Sequence, residues 1–302
     1  AFIGGEPLIN IKALERLIRI TRRAAATKNI GVKFLATTNG LTLGRPGVLD
    51  LVNKYRIGVS VSLDGPREWH NETRHLLNGS DSYDKIMRSV EKFLSGYHSP
   101  YKSVRATYRL APGRLIGTYR HMRDLGFNDI AMGSFEFDNK MLSSDVTQEL
   151  FQEISTLSRE IESDMVSGKV ARHSWLTEIF INLFTGNVKQ VICGATRNHV
   201  AFDVFGKMQA CHRYLGNEKY ELSAQDILDR SGSTLLPTIM QHSKTKHCSA
   251  CWARSLCGGE CFHVAKEINL KDNASALQDQ ICNFKRHKFR EGIRAYTSIM
   301  ST

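Results

Sequence analysis

The sequence lacks long apolar runs and is short of acidic residues, and both absences narrow the class of protein. No stretch of the 302 residues reaches the roughly 20 consecutive apolar residues that a membrane-spanning helix needs, so we expect no membrane partner. The 30 acidic residues stand against 41 Lys and Arg, a formal charge of +11 that suits acidic partners. The basic stretches have no interleaved aromatic residues, and nucleic acid is therefore not predicted as a partner.

Cysteine is absent from the first 192 residues and concentrated at the end of the chain. Five of the seven cysteines lie in the last 55 residues, as Cys248-x2-Cys251-x5-Cys257-x3-Cys261 and then Cys282. The other two, Cys193 and Cys211, flank Gly206. An odd number at such short spacings disfavours a disulfide framework and favours thiolates that bind metal. A four-thiolate site leaves three cysteines, the number that a second site with one open position needs.

Residues 1–138 alternate short β-branched runs with longer helical patterns. We predict strands at 2–3, 32–36, 57–63, 104–110 and 130–137, and helices at 8–28, 48–55, 83–94 and 114–125. This alternation predicts parallel strands with crossover helices, and such folds carry their chemistry at the carboxyl ends of the strands. Three polar segments lie at those ends: Gly4-Gly5-Glu6-Pro7, Thr37-Thr38-Asn39-Gly40 and Ser62-Leu63-Asp64-Gly65.

The remainder of the chain is predicted to form two further parts. Residues 139–189 predict two bridging helices, and residues 190–302 predict cysteine-bearing loops with a hairpin at 200–211 and a closing helix at 285–299. No internal repeat is found. The predicted domains are therefore 1–138, 139–189 and 190–302.

The polar segments followed by the cysteine array resemble the radical S-adenosylmethionine (SAM) superfamily with a C-terminal SPASM domain. The resemblance rests on Gly4-Gly5-Glu6-Pro7, on Ser62-Leu63-Asp64-Gly65-Pro66 with Arg74, and on the seven cysteines, and it covers nearly the whole chain. It implies an α/β fold: a partial (β/α)6 TIM-like barrel followed by a small, cysteine-rich α+β SPASM domain.

The resemblance also implies a site for SAM. Gly4 and Gly5 would allow close approach of the backbone, and Glu6 would accept a hydrogen bond from the ammonium group of SAM. Ser62 and Arg74 would hold the ribose and carboxylate end of the cofactor.

Asn39 and Asp64 also lie at the carboxyl ends of the predicted strands, an edge that we call the rim. Each of them has two possible roles. Either they help to shape the cofactor site, or they stabilise turns by accepting hydrogen bonds from nearby backbone N–H groups. The sequence does not choose between these roles.

One element of the superfamily is missing. Its reducing [4Fe–4S] cluster is held by a Cys-x3-Cys-x2-Cys loop after the first barrel strand, and this chain has no such loop. The chain opens in mid-pattern at Ala1 without an initiator methionine, so we expect a preceding segment of roughly 30 residues or more with that loop and that third cluster. The fragment alone is expected to be inactive.

For the seven cysteines, the resemblance implies two auxiliary [4Fe–4S] clusters. Cys193, Cys211 and Cys261 would hold the first, and Cys248, Cys251, Cys257 and Cys282 the second. Three ligands leave one iron open to a substrate thiolate, whereas four close the cluster. The alternative is a zinc ion held by Cys248, Cys251, Cys257 and Cys261 in a non-catalytic binding module.

Two histidines mark departures from the sulfatase-maturing relatives. Those relatives carry a further cysteine at the place of His199, which is either a fourth ligand or a strand residue here. They carry an aspartate base at the place of His212, which is our candidate catalytic residue. The second departure favours peptide maturases that form thioether crosslinks, including those for ranthipeptide-type precursors and quinohemoprotein amine dehydrogenase.

The sequence therefore predicts a radical SAM peptide-modifying enzyme of the oxidoreductase type. A 5′-deoxyadenosyl radical would take a hydrogen atom from a ribosomally made peptide or protein, and the carbon would couple to a cysteine sulfur. The alternative enzyme is an anaerobic sulfatase-maturing enzyme that makes formylglycine. An electron donor such as flavodoxin or ferredoxin is the other expected partner, and oxygen-labile clusters favour the cytoplasm.

Overall fold

Five short parallel strands organise the first part of the computed structural model, which describes residues 1–133, 141–195, 199–228 and 246–301. The strands are β1 (Leu35–Thr38), β2 (Gly58–Ser62), β3 (Ser103–Ala106), β4 (Asp129–Met132) and β5 (Arg172–His173). They lie in the order β1-β2-β3-β4-β5, and every neighbouring pair is parallel. Phe2 adds a parallel bridge to Ala36 beside β1. The predicted α/β class with a parallel sheet is confirmed.

The helices of this part are α1 (Ile11–Ala26), α2 (Val48–Tyr55), α3 (Arg67–Asn71), α4 (Tyr83–Gly96), α5 (Arg114–Asp124), α6 (Ser144–Val166) and α7 (Ser174–Thr185). Helices α1, α2, α4 and α5 follow the predicted alternation, α6 and α7 lie where two helices were predicted within 139–189, and α3 was not predicted. In α1, Leu14 and Ile18 are buried at helical spacing, and the Asn10 side chain caps the first turn by accepting from the Ala13 N–H at 3.0 Å. No helix in the described ranges is both long and apolar enough to cross a membrane.

The two faces of the parallel sheet differ in polarity. On one face Val59, Val61 and Val104 are buried under the helices. The residues that alternate with them, including Ser60 and Ser62, are half-buried and polar. Parallel sheets are usually apolar on both faces. A polar second face leaves the sheet able to bind a polar ligand.

The chain divides into two units, Ala1–Glu178 with Arg294–Thr302, and Ile179–Ile293. The second unit contains a small antiparallel sheet of β6 (Ala201–Phe202), β7 (Met208–Gln209) and β8 (Glu221–Leu222) in that order. Its helical segments are α8 (Ala224–Leu228), α9 (Arg254–Cys257), α10 (Phe262–Asn269) and α11 (Ala274–Met300), with 3-10 turns at His212–Tyr214, Glu218–Tyr220 and Lys246–Ala250. The predicted three-part division stays a prediction.

The structure adds detail that the sequence reading missed. Strand β5 is only two residues long and was not predicted. The closing helix α11 begins at Ala274, eleven residues before its predicted start at Lys285, because Leu277, Ile281 and Phe284 repeat an apolar face that the reading overlooked. The strand predicted at 130–137 ends at Met132 in β4, and its last residues lie outside the described ranges.

Candidate functional site

Glu6 lies at the carboxyl end of the Phe2 bridge, and its carboxylate accepts four hydrogen bonds. Its Oε1 accepts from the Thr38 hydroxyl at 2.8 Å, the Leu8 N–H at 3.0 Å and the Thr42 hydroxyl at 3.3 Å. Its Oε2 accepts from the Asn39 N–H at 2.8 Å. A carboxylate oxygen has two lone pairs, so Oε2 keeps one acceptor direction for a ligand. The two threonines are site residues that sequence reasoning missed: Thr38 is the last residue of β1, and Thr42 lies four residues after it.

Gly4 and Gly5 precede this carboxylate and have φ angles of 95° and 52°. A Cβ added at either position would meet nothing within 4 Å. Glycine is therefore favoured here by the left-handed backbone rather than by close packing inside the chain. Both residues are exposed, which leaves this turn accessible to a ligand.

Asn39 forms a turn at the end of β1. Its Oδ1 accepts from the Leu41 N–H at 3.0 Å, an Asx turn of the kind considered in the sequence reading. The turn passes through Gly40, where φ is +85° and an added Cβ would lie 2.9 Å from Ile86 Cγ2. The Asn39 side chain thus has a structural partner, and its part in cofactor binding stays a prediction.

Asp64 and Arg74 form an ion pair at the carboxyl end of β2, next to Ser62. Asp64 is 6% exposed and accepts hydrogen bonds from the Arg74 Nε, from Arg74 Nη2 at 3.3 Å and from the Thr107 N–H at 2.8 Å. Two bonds between a guanidinium and a carboxylate fix both groups in one plane. The Arg74 side chain keeps 32% of its surface exposed. Ser62 ends β2 on the polar face of the sheet, opposite Arg105.

A cavity of about 310 Å³ lies beside the ion pair. Its lining includes three arginines and two carboxylates, together with polar and aromatic residues: Asp64, Trp69, Glu72, Thr73, Arg74, Thr107, Tyr108, Arg109, Arg114 and Thr118. Glu72 binds both Nη atoms of Arg114, at 2.7 and 2.5 Å. The buried Thr118 hydroxyl has no hydrogen-bond partner among the described residues. The excess of cations favours an anionic group in this cavity.

In the second unit, four cysteines line one cavity. Cys248 and Cys251 come from the turn before α9, Cys257 ends α9, and Cys282 lies on α11. Gly258 follows with a φ of 69°, and an added Cβ there would lie 2.7 Å from the Val191 backbone carbon. None of the seven cysteines is in a disulfide. The fold therefore brings together one set of four thiols that the sequence scatters over 35 positions.

Lys285 is one of three cationic residues that line this four-cysteine cavity, together with Arg254 and Arg286. Its Nζ lies 2.9 Å from Glu260 Oε2 and donates to the Gly259 carbonyl at 2.9 Å. Burial lowers the pKa of Lys285, but Glu260 and the thiolates of Cys257 and Cys282 outweigh burial and leave the pKa raised. A positive charge held beside four thiols offsets part of the negative charge that they carry as metal ligands.

The other three cysteines interact electrostatically with one another. Partial burial raises the pKa of the Cys193 thiol, and so do the neighbouring thiolates of Cys261 and Cys211. Burial, the stacked Tyr220 ring and the same three thiolates raise the pKa of Tyr214 to about 12. Tyr214 therefore stays protonated at neutral pH, as a neutral hydroxyl near this three-cysteine group.

The two histidines singled out in the sequence lie close to this group in the chain and are exposed. The His212 Nδ1 is 3.8 Å from Cys211 Sγ, so the imidazole lies against a candidate ligand. The His199 N–H donates to the Gly194 carbonyl at 2.9 Å, and His199 forms a bridge with Ala195. His199 therefore lies in an isolated bridge before β6, and its role as a ligand stays a prediction.

No three His, Cys, Asp or Glu side chains within the described ranges are grouped closely enough to hold a single metal ion. A tetrahedral zinc site would draw four sulfurs to about 2.3 Å from one point. The four thiols of Cys248, Cys251, Cys257 and Cys282 line one cavity, and the nature of the metal centre they would hold stays a prediction.

Comparison with models of known protein families finds no match. Curated proteins match over part of the chain. The cysteine-type anaerobic sulfatase-maturating enzyme of Clostridium perfringens (strain 13 / Type A) is 35% identical over 95 residues, which are 31% of this chain and 25% of that protein. The enzyme of the same description from Clostridium novyi (strain NT) is 33% identical over 102 residues, 33% of this chain and 26% of that protein.

A third curated relative has a different description. The radical SAM cyclopropyl synthase TigE of Paramaledivibacter caminithermalis is 31% identical over 90 residues, 30% of this chain and 18% of that protein. The matched segment thus spans about a quarter of the length of the two sulfatase-maturating enzymes and less of TigE.

Solved structures match over nearly the whole chain. The structure of anSMEcpe with bound AdoMet superposes with a TM-score of 0.76 at 16% identity, covering 99% of this chain and 80% of that chain. Native anSMEcpe with bound AdoMet and the Kp18Cys peptide gives 0.74 at 16% identity, covering 99% and 84%. Streptococcus suis SuiB bound to S-adenosylmethionine gives 0.51 at 14% identity, covering 90% and 62%. At these identities the likeness is one of fold.

Proposed function

We propose that this chain is a radical SAM/SPASM-type maturase that binds SAM at the strand ends of its first unit and modifies a peptide. The likeness in fold to anSMEcpe and the local sequence matches to a sulfatase-maturating enzyme and to TigE support this proposal. The peptide would be ribosomally made and would contain cysteine. Bound SAM, reduced by an iron–sulfur cluster, supplies a 5′-deoxyadenosyl radical that removes a hydrogen atom from the substrate.

The observation that carries this proposal is the match between the rim and the amino-acid end of SAM. The remaining acceptor direction of Glu6 Oε2 suits the ammonium group. The exposed part of the Arg74 guanidinium and the cationic excess of the neighbouring cavity suit the carboxylate. The Ser62 hydroxyl, on the polar face at the end of β2, suits a ribose hydroxyl.

The thiols of the second unit fit two iron–sulfur clusters. Cys248, Cys251, Cys257 and Cys282 line one cavity with a cation beside it, and four thiolates close a [4Fe–4S] cluster. The remaining set, Cys193, Cys211 and Cys261, provides three thiolates that feel one another's charge, so a cluster held there keeps one iron for another ligand. No cysteine of either set is in a disulfide, and thiolates are the donors that such clusters require.

For the reaction, we propose a thioether crosslink between a peptide carbon and a cysteine sulfur. The 5′-deoxyadenosyl radical would take one hydrogen atom from the carbon, and the thiol would lose a proton to solvent and one electron to the first auxiliary cluster. A donor such as flavodoxin or ferredoxin would supply the electron that cleaves SAM. His212, which follows Cys211 and replaces the aspartate expected of a sulfatase-maturing enzyme, supports this choice. The likeness to a structure described with the Kp18Cys peptide supports a cysteine-containing substrate.

A second candidate is the oxidation of a substrate cysteine to formylglycine. It is favoured by the 35% identity to the cysteine-type anaerobic sulfatase-maturating enzyme of Clostridium perfringens. Both candidates begin with a hydrogen atom taken from a cysteine-containing peptide, so they share the rim and the clusters and differ in the bond that is made.

The test is mass analysis of a cysteine-containing precursor peptide coexpressed anaerobically with the full-length protein. A thioether lowers the peptide mass by two hydrogens and removes a thiol from alkylation by iodoacetamide. A cyclopropane also removes two hydrogens but leaves the thiol reactive. Formylglycine gives an aldehyde that reacts with hydrazides. An unmodified peptide, with no SAM cleaved to 5′-deoxyadenosine, contradicts the proposed function.

Metal analysis tests the zinc-module alternative separately. Two [4Fe–4S] clusters in this chain correspond to about eight iron and eight sulfide ions and a brown protein. A colourless protein with one or two zinc ions per chain and no sulfide would leave the chain as a binding module.

A further inference from the structure

A buried histidine lies behind the ion pair of the first unit. His70, on α3, has no exposed surface. Its Nδ1 accepts from the Asp64 N–H at 3.2 Å, and its Nε2 lies 3.0 Å from the Ser82 hydroxyl. Burial lowers the pKa of His70 to about 4, against the opposing effect of the Asp64 charge. The imidazole is therefore neutral at pH 7.

The hydrogen bonds around His70 allow a single arrangement of protons. Nδ1 accepts a hydrogen bond from the Asp64 N–H, so the proton of the neutral ring is on Nε2. The Ser82 hydroxyl donates a hydrogen bond to the Arg74 carbonyl at 2.8 Å, and its oxygen is thus the acceptor for His70 Nε2–H. These hydrogen bonds form a chain, the His70 chain, that runs from the backbone of Asp64 through His70 and Ser82 to the backbone of Arg74.

Ser82 occupies the N-cap position of α4 without using its side chain as a cap. Serine is favoured at this position because its hydroxyl accepts from the first backbone N–H groups of the helix. Here Asn71 takes over part of that role, since its Oδ1 accepts from the Tyr83 N–H at 3.2 Å. Ser82 as a whole is only 3% exposed, and its hydroxyl instead forms hydrogen bonds with His70 and with the Arg74 carbonyl.

The two ends of this chain are the backbones of the two residues whose side chains form the ion pair. We propose that His70 is a positioning residue which, through Ser82, fixes Asp64 relative to Arg74 so that the guanidinium faces the cavity. This inference rests on the proposed role of Arg74 in binding the carboxylate of SAM. His70 itself is not among the residues that line the cavity; it contacts the lining residues Asp64 and Arg74 from behind.

The test measures the Kd of SAM for the full-length, reconstituted protein by equilibrium dialysis. Arg74→Ala should weaken binding roughly 10- to 100-fold, because a charge-assisted bond contributes about 1.5–3 kcal/mol. His70→Leu and Ser82→Ala should each weaken binding about 5- to 10-fold, in keeping with one neutral hydrogen bond. His70→Gln, which keeps an acceptor and a donor, should bind more tightly than His70→Leu.

The matched control is Ser89→Ala, on the same helix. Ser89 is also buried, and its hydroxyl donates to the Leu41 carbonyl at 3.4 Å, away from the His70 chain. A loss of SAM affinity in Ser89→Ala equal to that in Ser82→Ala would overturn the inference, because it would mean that any buried serine of α4 acts through general stability.

A double mutant separates positioning from an independent effect. If His70 acts through Arg74, His70→Leu should have no further effect on Kd in the Arg74→Ala background. An equal loss of SAM affinity on His70→Leu in the wild-type and Arg74→Ala backgrounds overturns the inference. The inference is also overturned if Arg74→Ala binds SAM weakly while His70→Leu and Ser82→Ala both bind it with unchanged affinity. If Arg74→Ala binds SAM normally, the proposed cofactor role of Arg74 fails and this inference fails with it. Should His70→Leu not fold, Ser82→Ala carries the same test.

Discussion

The two units use their polar groups in opposite ways. At the rim of the first unit, the carboxylates of Glu6 and Asp64 accept four and three hydrogen bonds from the protein itself. In the second unit none of the seven cysteines is in a disulfide, and hydrogen bonds to sulfur such as that from Gln278 Nε2 to Cys282 Sγ, at 3.7 Å, are long. The rim is held by hydrogen bonds within the protein, whereas thiols are donors suited to a metal centre.

This difference has consequences for stability. Hydrogen bonds to a buried carboxylate stabilise the fold directly, because losing one leaves a polar group unpaired. Thiols that bind metal stabilise the fold only when metal is bound, since binding free energy then becomes folding free energy. Substitutions at the rim should therefore change stability with or without metal, and substitutions of cysteine should act mainly through metal.

The largest effect is expected for a cysteine of the four-cysteine cavity. Cys251→Ala removes one of four thiolates, and we expect the iron content of the reconstituted protein to fall by about half, from roughly eight to roughly four ions per chain. Iron and sulfide analysis with Mössbauer spectroscopy measures this. Ser249→Ala, two residues away, is the control and should keep its iron. Full iron content in Cys251→Ala would remove Cys251 from the ligand set.

The next effect is a pH dependence of stability from His70, whose charged neighbours are Asp64, Arg74 and His121. Its pKa falls from 6.5 in the unfolded chain to about 4 in the folded one, so between these values the unfolded chain binds a proton that the folded chain does not. The free energy of unfolding should therefore fall by about 3 kcal/mol as the pH drops from 6.5 to 4.

Urea titrations of the wild type and of His70→Gln at pH 7, 6, 5 and 4 measure this contribution as a difference. Other groups titrate in the same range in both proteins and largely cancel. Parallel pH profiles for the two proteins would mean that His70 is not the group responsible.

A smaller loss of stability is expected when Lys285, one of the cations that line the four-cysteine cavity, is replaced. Lys285→Met leaves Glu260, which is 7% exposed, without its ion-pair partner. Because Lys285 keeps 23% of its side-chain surface exposed, we expect a loss of about 2 kcal/mol, below the range for fully buried pairs. Lys285→Arg keeps the charge and is the control. Denaturation in urea measures the stability of both variants. Equal urea midpoints for Lys285→Met and Lys285→Arg would show that the packing of Lys285, and not its charge, determines its contribution to stability.

At the rim, Thr38→Val removes one of the four donors to Glu6 and keeps the shape of the buried side chain. We expect a loss of about 1–2 kcal/mol, the effect of leaving a buried acceptor short of a partner. The same loss should be measured with and without iron, in contrast to Cys251→Ala. A loss of stability that appears only in the iron-loaded protein would contradict the comparison between the two units.

The smallest effect is expected at an exposed pair. Arg67 Nη1 donates to Asp84 Oδ2 at 2.6 Å, but both side chains are more than half exposed. Asp84→Asn should change the free energy of unfolding by less than about 0.5 kcal/mol, because water screens such pairs. A larger loss in thermal or urea denaturation would mean that this pair is part of a wider network.

Several features of the fold were predictable from local patterns. The alternation of β-branched runs and amphipathic helices predicted the parallel sheet, because the spacing of apolar residues differs between strands and helices and can be seen in a short stretch of sequence. Strand β5 was not predicted because two residues are too few to show such a spacing. The predicted start of α11 is too late because the prediction rested on the basic stretch from Lys285. The apolar positions Leu277 and Ile281, which are buried at helical spacing, belong to the same helix.

The site was predictable in its residue types and less so in its contacts. Glycines before Glu6 and a serine and arginine after β2 marked the rim. The sequence did not indicate that Thr38 and Thr42 would bind Glu6, because those residues are more than 30 positions away in the chain. The thioether product, the roles of His199 and His212 and the electron donor stay predictions.

The sequence by itself determined the chemistry that is available: seven thiols at short spacings, a turn that glycine alone adopts easily, and the alternation that builds a parallel sheet. These follow from covalent structure and local conformational preference. Only the tertiary structure decided that one set of four thiols shares a cavity and that His70 and Ser82 join the backbones of Asp64 and Arg74. Hydrogen bonds and cavities depend on distances of a few ångströms between residues far apart in the chain, and packing of the whole unit sets those distances.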